Sequence, residues 1–334
     1  MSYPGPVRWA LLLFVPACSF GARAAPMTGD APRAIDTAIG SDAPPMIDAA
    51  GSGCMDRWMM HTVRFHAPAE LTELNTTSYE RDPYVTPDEL TIYFSATRSD
   101  SLPAQGGTDI YMATRTQIGD PFGTATKFAA ASTTTGSEGK MSLTADGMQL
   151  FVSSDQQVVG SKGANDIWFA QQAAMGWGPL GQMHMAMVNS AGDELDPIVA
   201  ADGTAIYYAP SSGQPQQLYV ATRANEAGNF GAPSELTELA DTAGGTGTAD
   251  PAISADQKVI LFSSSRTGSL GGNDIWYATR DDPSGPFGTP QPVPDINTGY
   301  YDGDALLSQD GCRLYFDSTR NGNSDWDLFV ASQQ

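Results

Sequence analysis

The sequence predicts an all-β protein, a five-bladed β-propeller of four-stranded antiparallel blades, and three observations carry that prediction. One motif recurs five times at a near-constant interval. Each copy holds short strand-like runs separated by turn residues. An outer-strand segment also stands ahead of the first copy, while the last copy lacks one.

The motif reads acidic-Pro-x-x-x-x-Asp-Gly, then Leu-Tyr-Phe-x-Ser, then Asp-Ile-aromatic, then Phe-Gly-x-Pro. Its turn aspartates Asp88, Asp146, Asp202, Asp256 and Asp310 are 58, 56, 54 and 54 residues apart. The copies lie near residues 80–130, 138–188, 194–240, 248–296 and 302–332. Four antiparallel strands make one propeller blade, and a blade with two apolar faces must stack on neighbours. The fifth copy ends after its third strand. Phe65–Leu74 matches Phe230–Leu239, an outer strand, at eight of ten positions. The segment 62–74 therefore completes the last blade, pairing the two ends of the domain and removing an open sheet edge.

Composition agrees. Only 16% of the 334 residues are charged, and 35 Gly and 23 Pro supply turn geometry. The net charge of −21 argues against nucleic acid or an anionic membrane surface as a partner and favours a cation or a basic one.

The N-terminus reads as a targeting segment over residues 1–24. Arg8 precedes the apolar run Trp9–Val15, too short for a stable membrane span. Val15-Pro-Ala-Cys18 resembles a lipobox, which makes Cys18 a lipidation candidate, while Ala22-Arg-Ala24 resembles an ordinary cleavage site. Residues 25–53, rich in Ala, Pro, Asp and Gly, read as a disordered tether. The propeller is expected over residues 54–334. In an exported protein Cys54 and Cys312 are candidates for a disulfide between the start of the domain and its last repeat.

The Asp-Gly turn, the Leu-Tyr-Phe-x-Ser strand and the Asp-Ile-Tyr strand resemble the TolB-type, WD-repeat-like β-propeller repeat of bacterial envelope proteins, over about residues 62–332. The resemblance implies the architecture and an envelope location. That family carries a separate N-terminal domain and six blades, neither of which is read here, so its partnership with the Tol–Pal system does not transfer.

The candidate chemistry is acidic. Glu80, Asp82, Glu138, Glu194, Asp196, Asp250, Asp302 and Asp304 gather just before each innermost strand. Either they ring one mouth of the channel, where Ca²⁺ or a cationic ligand would suit them, or each fixes its own blade's turn. No other cofactor is expected. Arg98, Arg266 and Arg320 are expected to pair with Asp109, Asp274 and Asp327 within their own blades. Blade two has Asp155 in place of the arginine, and blade three has Ser212 and Gln217 instead of the pair. The third-strand aromatics Tyr111, Trp168, Tyr219, Trp276 and Phe329 are expected to pack between blades. Met183, Met185 and Met187 are placed on the outer strand of blade two, as a packing stripe or a thioether copper site.

No Gly-x-Ser-x-Gly, His-Glu-x-x-His or Gly-Lys-Ser/Thr motif is present, and there are three histidines. The expected function is a non-enzymatic binding or scaffold module of the cell envelope. It would be monomeric, periplasmic or at the outer membrane, attached only through a lipid, and would recognise an envelope protein, polysaccharide or peptidoglycan. The alternative is a carbohydrate-active hydrolase or lyase using Glu80, Glu138 or Glu194 at the channel mouth.

Overall fold

Within each repeat the first two strands are folded against each other by a turn that the side chains themselves build. Thr86 Oγ1 donates to Asp88 Oδ1 at 2.6 Å and Leu90 N donates to the same oxygen at 3.0 Å. Thr144 with Asp146, Ser254 with Asp256 and Ser308 with Asp310 repeat the hydroxyl–carboxylate contact. The next residue is left-handed, which is why glycine recurs there: Gly147, Gly203 and Gly311 have φ of 69°, 67° and 75°. Glu89 and Gln257 occupy the same position at φ 56° and 57°.

The structure, a computed structural model, describes residues 52–98, 107–211, 215–241, 247–322 and 325–334. The targeting segment, Cys18 and Ser212 lie outside them, as does the tether up to residue 51. Its last two predicted residues are not tether, because α1 (Ser52–Met59) begins there, anchored by Trp58.

After α1 comes the short strand β1 (Ala69–Glu70). Blade one is β2 (Glu80–Val85), β3 (Thr91–Ala96), β4 (Asp109–Thr114) and β5 (Thr126–Lys127). Blade two is β6 (Glu138–Leu143), β7 (Gln149–Ser154), β8 (Asp166–Ala173) and β9 (Gly176–Trp177). Blade three is β10 (Glu194–Val199), β11 (Ala205–Pro210), β12 (Tyr219–Thr222) and β13 (Ser234–Glu235). Blade four is β14 (Thr248–Ile253), β15 (Val259–Ser264), β16 (Asp274–Thr279) and β17 (Gln291–Pro292). The last blade runs β18 (Asp302–Leu307), β19 (Arg313–Ser318), β20 (Asp327–Ser332), then β1. All pairs between these strands are antiparallel, and Ala69 and Glu70 sit opposite Val330 and Phe329. The orphan outer strand thus closes the ring.

The Phe-Gly motif has a physical cause as well. Gly123, Gly178, Gly231 and Gly288 each donate their N–H to a carbonyl at or near the end of the third strand, at 2.8–2.9 Å. A Cβ there would stand 3.3–3.4 Å from that same carbonyl oxygen. His66 holds the position in the closing segment, its N–H donating to Ser332 O at 2.9 Å and its ring exposed.

The ring closure is reinforced outside the sheet. Cys54 and Cys312 are joined by a disulfide, with Cα atoms 5.2 Å apart. Trp58 is fully buried, donates Nε1 to Gly311 O at 3.0 Å, and packs on Phe65 and Tyr277. Of the third-strand aromatics, Tyr111, Trp168, Trp276 and Phe329 are buried in the core, while Tyr219 is half-buried.

The methionine stretch is not on a strand. Residues 183–187 form turns beyond β9, where Met185 is buried among Phe151, Phe169 and Phe230 while Met183 and Met187 are exposed. Three thioethers so divided make no shared copper site.

Candidate functional site: the axial carboxylates

Every innermost strand carries a β-bulge: in each of the five blades two residues of it oppose one on the second strand. The bulge re-aims one side chain per blade. In four blades that residue is an aspartate in the left-handed region, which Asp tolerates better than most residues: Asp82, Asp196, Asp250 and Asp304, with φ of 46–56°. In blade two it is Lys140.

The bulge separates the predicted acidic residues into two groups with different roles. The first group begins the innermost strand and ties down the loop entering its own blade. Glu80 accepts from Thr76 N and Oγ1 at 2.9 and 2.7 Å. Glu138 accepts from Thr133 N and Oγ1 at 3.0 and 2.7 Å and from Ser154 Oγ at 2.8 Å. Glu194 accepts from Ser190 N at 3.0 Å and from its hydroxyl, and Asp302 from Thr298 N and Oγ1 at 2.6 and 2.8 Å. All four are buried.

The second group converges on the axis. One oxygen each of Asp82, Asp196 and Asp304 lie within 4.8 Å of one another. Asp250 and Asp317 join them; Asp317 stands on β19 where blades one and four have Ser95 and Ser263. Two cations enter the cluster. Arg81 donates to Asp304 Oδ2 at 2.8 Å and faces Asp317 Oδ2 at 3.4 Å. Lys140 is fully buried, its Nζ 3.9 Å from Asp304 Oδ1. Asp82, Asp304 and Asp317 are buried, while Asp196 and Asp250 are half-buried. Burial and then the neighbouring Asp304 push Asp82 up to about 7. Burial and then surrounding aspartates likewise hold Asp196 and Asp317 well above the carboxylate range. For Asp304 burial acts in the same sense, but Arg81 and Lys140 outweigh it and hold the group ionised.

Glu138 makes a prediction of its own. Burial, against three hydrogen bonds that favour the charged form, raises its carboxyl from 4.5 to about 7. Between those values the native state binds more protons than the unfolded chain. Stability is therefore lost as pH rises through that window, by about 3 kcal/mol for this one group. Glu138→Gln is expected to remove that share of the slope, read by comparing urea unfolding of both proteins near pH 5 and near pH 8.

The predicted Arg–Asp pairs do not form. Arg98 reaches back to Glu80 Oε1 at 3.3 Å and Leu74 O, and Arg320 to Asp302 Oδ1 at 2.7 Å and Ile296 O at 2.9 Å. Arg266 takes Leu239 O at 2.7 Å. Each guanidinium lies over two strand aromatics of its blade, Phe94 and Tyr111, Phe262 and Trp276, or Phe316 and Phe329, which for Arg98 and Arg320 aims it at the innermost strand. Asp109 meets Lys127 Nζ at 2.7 Å instead. Asp274 accepts from Leu270 N and Asp327 from Asn321 Nδ2.

Sequence reasoning missed Arg81, Lys140 and Asp317, and it missed the latches between blades. Arg115, Arg223 and Arg280 directly follow their third strands, lie over Phe122, Phe230 and Phe287 at 4.4, 4.3 and 4.1 Å, and reach the preceding blade. Their contacts there are Tyr315 Oη, Gln149 Oε1 and Tyr207 Oη. At the ring closure Glu89 adds a bidentate pair with Arg313 and accepts from Tyr315 Oη at 2.7 Å. The available signal was departure from the repeat: Glu89 and Gln257 replace the turn glycine, Lys140 an aspartate, and Asp317 a serine.

On the same face as the start of the innermost strands lies a hollow of about 340 Å³ lined by Tyr300, Tyr301, Thr319 and Trp326. Tyr300 and Tyr301 are 48% and 50% exposed, Arg81 lies 4.2 Å over the Trp326 ring, and exposed Tyr79 adjoins through Glu80 N to Trp326 O.

No protein-family model and no curated protein matches the sequence. Among solved structures the chain is similar to xyloglucan PUL GH43B from Bacteroides ovatus, at 16% identity and a TM-score of 0.50, covering 77% of this chain and 53% of that one. It is similar to a mutant of the GH43 protein BlXynB from Bacillus licheniformis, at 12% identity and 0.50, covering 80% and 56%. TolB from Acinetobacter baumannii aligns at 17% identity and 0.43, covering 78% and 56%. The chain thus spans little more than half the length of each, and identities at this level show the fold alone.

Proposed function

We propose that the chain is a non-enzymatic binding module of the bacterial cell envelope, recognising a protein or cell-wall polymer through the face that carries Tyr79, Tyr300, Tyr301 and Trp326. The observation behind this reading is the hollow between the last two blades. Half-exposed aromatic rings grouped on a concave surface are costly to leave in water and suit stacking on a sugar or a peptide side chain. Gly272 allows the arrangement, since a Cβ there would lie 2.5 Å from the Tyr301 ring. An oxidising compartment is supported by the Cys54–Cys312 disulfide and by the apolar run Trp9–Val15 in the sequence. Lipid attachment through Cys18 and the kinship of the repeat with the TolB-type envelope propellers belong to the same proposal.

A glycoside hydrolase needs two carboxylates flanking an accessible bond, about 5–5.5 or 6.5–9.5 Å apart. Glu80, Glu138 and Glu194 are buried and bound to their own loops instead. Sedimentation with insoluble peptidoglycan and an array of envelope polysaccharides and peptides tests the proposal. Wild type is expected to bind one class, and the Tyr300→Ala, Tyr301→Ala double variant to bind about tenfold more weakly, from the usual worth of two aromatic contacts. Equal binding by both proteins, or release of reducing ends that Glu138→Gln abolishes, would refute it.

A further inference from the structure

We propose that the propeller axis holds a divalent hard cation of the Ca²⁺ class on Asp82, Asp196 and Asp304, with Asp250 and Asp317 completing its surroundings. The inference is independent of the aromatic face. Ca²⁺ takes oxygen ligands at about 2.3–2.6 Å, so ligands of one ion lie within about 5 Å of one another. Three carboxylate oxygens from three different blades, within 4.8 Å, meet that condition without rearrangement.

Two further observations point to an ion rather than to a cluster complete in itself. The first is charge. Five carboxylates from four blades meet two cations, Arg81 and Lys140, in a mostly buried volume, so ionising all five needs further positive charge. The second is a set of buried polar atoms without partners. Asp304 Oδ1 and Asp317 Oδ1 are buried acceptors with no hydrogen-bond partner. Lys140 occupies the position that is aspartate in the other four blades, yet its ammonium stands 3.9 Å from Asp304 Oδ1, too far to hydrogen-bond. The donors are all hard oxygens, which suit Ca²⁺ over a transition metal. Mg²⁺ keeps several waters and near-ideal octahedral geometry, and fits a mostly buried carboxylate cage less well. Asp196 and Asp250 are half-buried, so the cluster is not sealed from solvent.

Calorimetric titration of Ca²⁺ into the chelator-treated full chain near pH 7.5, with native mass spectrometry for stoichiometry, tests the site. One Ca²⁺ per chain is expected, with thermal unfolding shifted upward by the ion. Asp196→Asn, which keeps the side-chain shape but removes a ligand charge, is expected to weaken binding at least tenfold. Lys140→Met, which deletes the resident cation, is expected to tighten it, and this opposite direction keeps the test decisive if the first variant does not fold. Asp281→Asn, distant from the axis in sequence and exposed, is expected to change nothing. The proposal is overturned if chelated wild type shows no saturable uptake and the same unfolding temperature with and without Ca²⁺. It is equally overturned if neither axial substitution changes the uptake, which would mark it as general attraction to a chain of net charge −21.

Discussion

Replacing Glu89 with alanine is expected to cost about 3–5 kcal/mol of stability, the usual loss when one partner of a buried ion pair is removed. Glu89 is 3% exposed, and its carboxylate holds Arg313 through both oxygens and accepts the Tyr315 hydroxyl, all from the last blade. Arg115 binds its backbone carbonyl at 2.8 Å and approaches its carboxylate at 3.8 Å. Truncation leaves two guanidinium groups and a phenol facing an emptied site at the seam where the ring closes. Arg64→Ala is the contrasting control: Arg64 meets Asp295 at 3.2 Å from a side chain 63% exposed, and its ion pair is worth about 1 kcal/mol or less. Urea unfolding of the three proteins measures the difference. Equal losses would show that the latch is not what holds the seam.

Converting both cysteines to serine is expected to lower stability by about 2–5 kcal/mol. Cys54 and Cys312 are 258 residues apart, so the bond removes a large share of the unfolded chain's freedom. It also keeps Trp58 over the last blade, beside the carbonyl of Gly311. Wild type treated with a reductant should unfold with the same midpoint as the double variant. A variant as stable as oxidised wild type would show that β1 and the Glu89 latch close the ring unaided.

The ring itself was legible because a repeat writes each blade into the sequence separately. Phe65–Leu74 matched an outer strand, and the structure pairs Ala69 and Glu70 with the last blade. The start of the domain was less legible, since nothing in Ser52-Gly53 announces a helix whose reason to form is Trp58, buried against residues from far along the chain. The Arg–Asp pairs failed for a related cause. Arg98 and Asp109 flank one hairpin loop and are close in register, but two aromatic rings under the guanidinium turn it toward Glu80.

The sequence by itself determined the blade number, the direction of every strand and the manner of closure, because these follow from local turn chemistry and from counting. It also placed an acid at nearly every innermost strand. Only the tertiary structure decided which acids serve their own blade and which meet on the axis. That choice depends on a β-bulge that turns the third residue of each strand inward while the first stays with its loop. It depends as well on ring closure, which brings Arg81 to Asp304 and Asp317 across 223 and 236 residues and sets Lys140 among four aspartates from other blades.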